Sequence, residues 1–322
     1  MPLEPRLRPI LALARLNQEA PDTPMAVRRA NSARVSKSLG GLGMRPGPEP
    51  STTIDRAVPV DGGQITVRIY TPPGTGPFPL YVFLHGGGWC IGNIDERNPR
   101  CRAVAAGAQC VVASVDYRLA PENQFPTGFN DCYQAMVWLI AHAHELNIDP
   151  SKIAIGGESA GANLAAAVCL RARDENGPSI CHQWLDVPAT DATMSQSGYR
   201  EVADGYLLDR ALLDLYFDHY LPDPALRTDP SVSPLLAASH AGLPSAWIMS
   251  AEFDRLRGDA VAYADALRAA GVPVEHTRLD GHVHASFALT RLLPSSRAYE
   301  EAAIAALARA FQEQPQRRAG AS

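Results

Sequence analysis

A serine hydroxyl attacks a carbonyl only when it is lifted into reach of a base, and one stretch of this chain has the residues for that. Lys152-Ile153-Ala154-Ile155-Gly156-Gly157-Glu158-Ser159-Ala160-Gly161-Ala162-Asn163-Leu164 passes from an apolar β-like run, through small residues, into an Ala/Leu-rich helical pattern. Ser159 stands midway between Gly157 and Gly161. That G-x-S-x-G spacing suits a sharp strand-to-helix turn, which larger neighbours would crowd. The free amides at the start of the helix favour developing negative charge. A second stretch, His85-Gly86-Gly87-Gly88-Trp89, directly follows the apolar run Leu80–Leu84. Its bare amides can curl around a small anion, so two of these glycines and Ala160 could hold the oxygen of a tetrahedral intermediate. A phosphate cradle is the other use of such glycines. Gly156–Gly161 has the glycine spacing of a P-loop, but Ala162-Asn163 replaces the Lys-Ser/Thr pair that a P-loop requires.

A serine nucleophile needs a base, and the base needs an orienting acid. With the order nucleophile, acid, base along the chain, the acids at a strand end are Asp254 and Asp259. Asp254 falls in the loop just beyond Ile248–Phe253, whereas Asp259 reads as a charge in the first turn of the next helix. Of the histidines, His276 lies inside an apolar strand and reads as structural. His282 and His284 both follow Asp280-Gly281 after the last strand, and spacing alone does not choose between them. Metal pairing is a weak use of these residues. His142 and His144 lie two apart on a helix and point to different faces. His282 and His284 face one way if extended, but no Cys or carboxylate cluster accompanies them.

The elements that must position these groups alternate. Ile54–Val60 and Gln64–Tyr70 flank Asp61-Gly62-Gly63 as a hairpin. Leu80–Leu84, Val111–Val115, Ile153–Ile155, Trp184–Val187, Ala246–Met249 and Val274–Thr277 read as buried strands. Helical patterns lie around Arg100–Ala106, Asp131–Ala143, Ala162–Arg173, Asp259–Ala270 and Arg297–Phe311. The expectation is an α/β fold with a mostly parallel central sheet and helices on both faces. Before it, residues 1–45 predict an amphipathic helix, a second short helix, and a Gly/Pro-rich linker from Gly40. Between Asp191 and Leu236 no strand appears; Asp209 is the expected N-cap of a helix bearing Leu212, Leu213, Tyr216, Phe217 and Tyr220. An insertion there suits a cap over the carboxyl ends of the strands. The expected division is therefore 1–45 and 191–236 as cap, with 46–190 and 237–322 as the core. The tail from Gln314 is polar and reads as frayed.

Composition narrows the function class. The 322 residues are 46% hydrophobic with a formal net charge of -5, which argues against nucleic acid or an anionic membrane as partner. The six cysteines form no C-x-x-C pair and several sit in apolar runs, the pattern of free thiols in a reducing compartment. No signal peptide or membrane-length run is legible, so a cytoplasmic protein is expected.

Four motifs in order resemble the hormone-sensitive-lipase family of bacterial esterases, members of the α/β-hydrolase superfamily. They are His85-Gly-Gly-Gly-Trp89, Asp116-Tyr-Arg-Leu-Ala-Pro-Glu122, Gly157-Glu-Ser-Ala-Gly161 and Ser233-Pro-Leu-Leu236, and the resemblance runs from about residue 50. It implies a serine carboxylesterase with Ser159 as nucleophile, Asp254 (in Ala251-Glu-Phe-Asp-Arg-Leu-Arg257) as acid and His284 (in His284-Ala-Ser-Phe287) as base. It assigns the oxyanion donors to Gly87, Gly88 and Ala160. A helical cap and short- to medium-chain ester substrates follow from it too, with no metal or organic cofactor. A homodimer is compatible with the family. Trp89, Tyr206, Leu207, Phe217 and Phe287 are candidate pocket residues, and Asp116, Arg118 and Glu122 are expected to form a structural ion-pair network. An amidase or deacetylase would use the same triad, and a small-molecule receptor the same fold without turnover.

Overall fold

The structure is a computed structural model that describes residues 2–313, without the side chains of 38–42. The polar tail from Gln314 lies outside the described residues. Eight strands form one sheet in the order β1-β2-β4-β3-β5-β6-β7-β8. They are β1 (Thr52–Val60), β2 (Gly63–Thr71), β3 (Phe78–Leu84), β4 (Val111–Asp116), β5 (Ile148–Glu158), β6 (His182–Asp186), β7 (Ser245–Phe253) and β8 (Val274–Val283). β1 and β2 form the expected hairpin and β2 runs antiparallel to β4; every other pairing is parallel.

Helices cover both faces, as the alternating pattern requires. Leu80, Val82 and Leu84 of β3 face α4 (Thr127–Ala141), α5 (Ala160–Asp174) and α8 (Arg257–Ala269). Tyr81 and Phe83 point the other way, into a cluster with α3 (Asn98–Ala108) and α9 (Pro294–Gln312). Alternate residues of one strand thus feed two cores, the period-2 geometry of a sheet buried on both sides.

Two helices precede the sheet: α1 (Leu7–Leu16) and α2 (Met25–Gly43). α1 packs Leu7 and Leu11 against Val283 and Leu293. α2 is longer than the sequence suggests, running through Gly40 where a linker was expected. Tertiary contact overrides the weak helix propensity of its glycines: the Gly43 carbonyl accepts the Arg291 amide at 2.9 Å. Between β6 and β7 lie α6 (Gly198–Glu201), α7 (Arg210–Tyr220) and short 3-10 turns. α7 buries Leu213, Tyr216, Phe217 and Tyr220, an i, i+3, i+4, i+7 stripe. Asp209 holds the N-cap position without capping the helix; its carboxylate takes the Gly205 amide at 2.6 Å instead.

The topology fixes where chemistry can happen. The chain leaves β3 for β4 on one side, then returns to place β5 on the other, so the loops after β3 and β5 flank a crevice at the carboxyl ends. Leu84 pairs with Gly157, and Phe253 with Val283. His85 and Glu158 therefore leave the sheet side by side, and so do Asp254 and His284.

Candidate active site

Ser159 joins β5 to α5 with φ 55° and ψ −117°, backbone that an L-residue rarely adopts. The turn is tight because Gly161 lies against β3: a Cβ there would stand 2.1 Å from the Leu84 carbonyl oxygen. The Ser159 amide donates to the Asp186 carbonyl at 2.8 Å, tying the turn to the end of β6. His284 follows β8, and Ala285 after it takes φ 60°, turning the chain sharply. The His284 ring bridges two partners, with Nε2 3.0 Å from Ser159 Oγ and Nδ1 2.8 Å from Asp254 Oδ2. Asp254 is fully buried, and its other oxygen accepts the Leu256 amide at 3.0 Å. The candidate nucleophile, base and orienting acid thus lie in one hydrogen-bonded line.

His282, which spacing left open, is engaged elsewhere. It sits within β8, with Nδ1 2.8 Å from Ser286 Oγ and Nε2 2.8 Å from Ser295 Oγ. His276 Nε2 meets Ser250 Oγ at 3.0 Å, far along the strand from the site. Asp259 is in the first turn of α8 as expected, but it is buried rather than a surface charge. It accepts the Thr190 and Asp191 amides and the Tyr199 hydroxyl. Burial there holds its carboxyl well above the usual carboxylate range.

Gly87 and Gly88 turn the chain sharply with φ 125° and 56°. A Cβ on Gly88 would fall 2.1 Å from the Tyr216 ring, so only glycine fits between the turn and α7. Among the described residues neither glycine amide donates to a backbone carbonyl. Together with Ala160 they line a cavity of about 220 Å³ that also contains Ser159 and His284. Leu208, Leu212, Leu213 and Tyr216 of the insertion and Val187 and Leu256 of the core give it an apolar side, while Glu96, Arg97 and Glu158 line it too.

Three of the five pocket candidates, Trp89, Leu207 and Phe287, line this cavity; Tyr206 and Phe217 do not. Tyr206 stacks on Phe253 with centroids 5.0 Å apart, beside α1. Phe217 packs behind Trp89 at 5.1 Å, while its neighbour Tyr216 faces the cavity. Successive helical residues point about 100° apart, so the choice fell one residue off the correct face. Trp89 is locked by its indole N–H to Asn163 Oδ1 at 3.2 Å and a near-parallel stack on Tyr220 at 4.5 Å.

Asp116, Arg118 and Glu122 do not pair with one another. Arg118 binds Asp131 at 2.6 Å, and Glu122 binds Arg29 of α2. Asp116 sits near buried His85, where burial drives its carboxyl upward. Arg29 also donates to the carbonyls of Cys90 and Ala120, which fastens α2 to the loop after the three glycines. Buried charges lie beside Ser159 with no signal for them in the sequence. Glu158 meets Arg97 at 2.6 Å and Arg100 at 3.7 Å, and Arg100 also pairs with Asp186. Burial opposes the charge on Glu158, but the two guanidiniums outweigh it and hold the carboxyl below its usual range.

Comparison with known proteins places this geometry. The model of a family with the alpha/beta hydrolase fold matches residues 81–288. The chain belongs to that family. It is 38% identical over 315 residues to the carboxylic ester hydrolase LipN of Mycobacterium tuberculosis, covering 95% of this chain and 82% of the relative. A hyperthermophilic esterase from the archaeon Pyrobaculum calidifontis superposes with a TM-score of 0.91 at 33% identity, covering 96% of this chain and 99% of the other. An ester hydrolase from the metagenome of Lake Arreo, solved with a bipyridine phosphonate derivative, gives 0.90 at 34% identity, covering 97% and 100%. The resemblance to hormone-sensitive-lipase-type esterases and the expected fold are thereby borne out. Among the described residues no group of three or more His, Cys, Asp or Glu could hold a metal ion, and no helix is long and apolar enough to cross a membrane.

Proposed function

We infer that this chain is a carboxylic-ester hydrolase working through an acyl-enzyme on Ser159. The observation that carries the reading is the hydrogen-bonded line Ser159–His284–Asp254 opening on a glycine turn whose Gly87 and Gly88 amides, among the described residues, donate to no backbone carbonyl. Ser159 Oγ attacks the ester carbonyl as His284 Nε2 takes its proton. Asp254 holds the ring through Nδ1 and stabilises the imidazolium. The amides of Gly87, Gly88 and Ala160 take the oxyanion, the alcohol leaves with the proton from His284, and His284 then activates water to free the acid. Every step is served by these groups, so no metal or organic cofactor enters the scheme. The intact base speaks for an enzyme over a receptor.

The N-terminal helices and residues 191–236 act as a cap, a reading supported by the cavity wall that α7 supplies. At about 220 Å³ the cavity falls below the ~300–1,000 Å³ of drug-sized ligand sites, which favours short to medium acyl groups. The partner is a small ester, and the six free cysteines favour a reducing, cytoplasmic setting. A graded panel of p-nitrophenyl esters, run beside Ser159→Ala, tests the reading. Turnover should peak at short acyl chains and vanish in the variant; hydrolysis that persists in Ser159→Ala contradicts it.

A further inference from the structure

The residue before the nucleophile and the residue before the proposed oxyanion donors are in contact. The Glu158 side chain, 5% exposed, packs against Gly86, whose amide is among the groups that hold its carboxyl below the usual range. A Cβ on Gly86 would stand 3.1 Å from Glu158 Cγ. The same carboxylate is clamped from the other side by α3. Arg97 Nε lies 2.6 Å from one oxygen and Arg100 Nη1 3.7 Å from the other.

Arg100 extends this clamp to the rest of the site. It pairs with Asp186, which also receives the Trp184 indole at 2.9 Å and the Tyr299 hydroxyl. The Asp186 carbonyl is the acceptor of the Ser159 amide. The Arg100 guanidinium also lies 5.0 Å from the centroid of Phe287, three residues past His284. One buried lattice therefore touches the glycine turn, the nucleophile turn and the loop of the base.

Two cations and two carboxylates balance inside it, but a buried ion lattice is poor support for stability as such. Its geometry is better suited to holding register. Oxyanion donors contribute only when their amides sit within hydrogen-bond range of the oxygen as it becomes charged.

We propose that Glu158 is a positioning residue that sets the spacing between the Gly86–Gly88 amides and Ser159 through the Gly86 amide. The proposal rests on the ester-hydrolase reading above and deepens it. It makes a chemical distinction: a glutamine at 158 still offers Gly86 an acceptor oxygen, whereas methionine, of similar length, offers none. Both remove the charge.

The test compares Glu158→Gln and Glu158→Met on p-nitrophenyl butyrate. Alongside, it measures the inhibition constant of an alkyl trifluoromethyl ketone, which adds to the serine and leaves an oxyanion in the hole. Glu158→Met should lower kcat about 10- to 100-fold with KM within about two-fold, and weaken the ketone by the same factor. Glu158→Gln should stay within about three-fold of wild type on every readout. If Glu158→Met does not fold, Glu158→Met combined with Arg97→Met keeps the charge balance and replaces it. Equal losses in the Gln and Met variants overturn the proposal, and so does a fall in kcat with unchanged ketone affinity. A wild-type protein that neither turns over the ester nor binds the ketone overturns the hydrolase reading beneath it.

Discussion

Replacing Ser159 by glycine should abolish turnover and leave the protein more stable than replacing it by alanine. The φ 55°, ψ −117° pair at this position is the mirror image of ordinary extended backbone, open to glycine and strained for any residue with a Cβ. Such strain costs about 1–3 kcal/mol, and the surrounding turn imposes it. Glycine's extra freedom in the unfolded chain costs about 0.5–1 kcal/mol. The proper reference is Ser159→Ala, which keeps the strain and loses the same 3.0 Å bond to His284. The difference leaves Ser159→Gly more stable than Ser159→Ala by about 1 kcal/mol. Urea unfolding followed by the fluorescence of buried Trp184 and Trp247, with midpoints compared at a common slope, measures it. A glycine variant no more stable than the alanine variant would refute the claim that the nucleophile turn stores strain.

Further outcomes follow from the same geometry. His284→Ala should lose at least about 10³-fold in kcat, while His282→Ala, whose ring nitrogens are hydrogen-bonded to Ser286 and Ser295, should keep turnover within about ten-fold; steady-state kinetics on one ester decides, and the reverse ranking would reassign the base. Gly88→Ala, forced into the Tyr216 ring at positive φ, should lose about 10²-fold or more in kcat, with far-UV circular dichroism checking that the fold survives. Burial pushes His182 down to about 4 from 6.5, helped by Arg309. Because the unfolded chain takes up a proton that the folded imidazole refuses, stability should fall by about 2 kcal/mol as pH drops from about 7.5 to 5. His182→Gln should flatten that slope in urea unfolding, and an unchanged slope would refute the assignment.

The sheet was legible because strands buried on both faces need continuous apolar runs, and Leu80–Leu84 or Val111–Val115 have no other use. Strand ends were less visible. β8 continues through polar Arg278, Asp280 and His282 because pairing with β7, down to Phe253–Val283, carries it on. The nucleophile and glycine turns were legible because their chemistry needs small residues at fixed spacing. Asp254 and His284 lie far from Ser159 in sequence and meet it only through strand register. For that reason His282 and His284 could not be separated by spacing, and only the resemblance favoured one. The charges around Arg100 left no signal at all: Arg97, Glu158 and Asp186 look like surface residues until the Arg97 and Arg100 side chains reach the ends of β5 and β6. The length of α2 was hidden too, since Gly40–Gly43 reads as a loop wherever no partner is seen to hold it.

The central claim is that Ser159 carries the acyl group, and a reactive phosphonate tests it most directly. Titrated against the wild-type enzyme, it should abolish ester hydrolysis at one equivalent and leave a single mass adduct on the peptide containing Ser159. The same reagent should label His284→Ala far more slowly, because the hydroxyl then lacks its base. Full ester turnover in protein that carries the adduct, or an inactivating adduct on any other residue, would contradict the account.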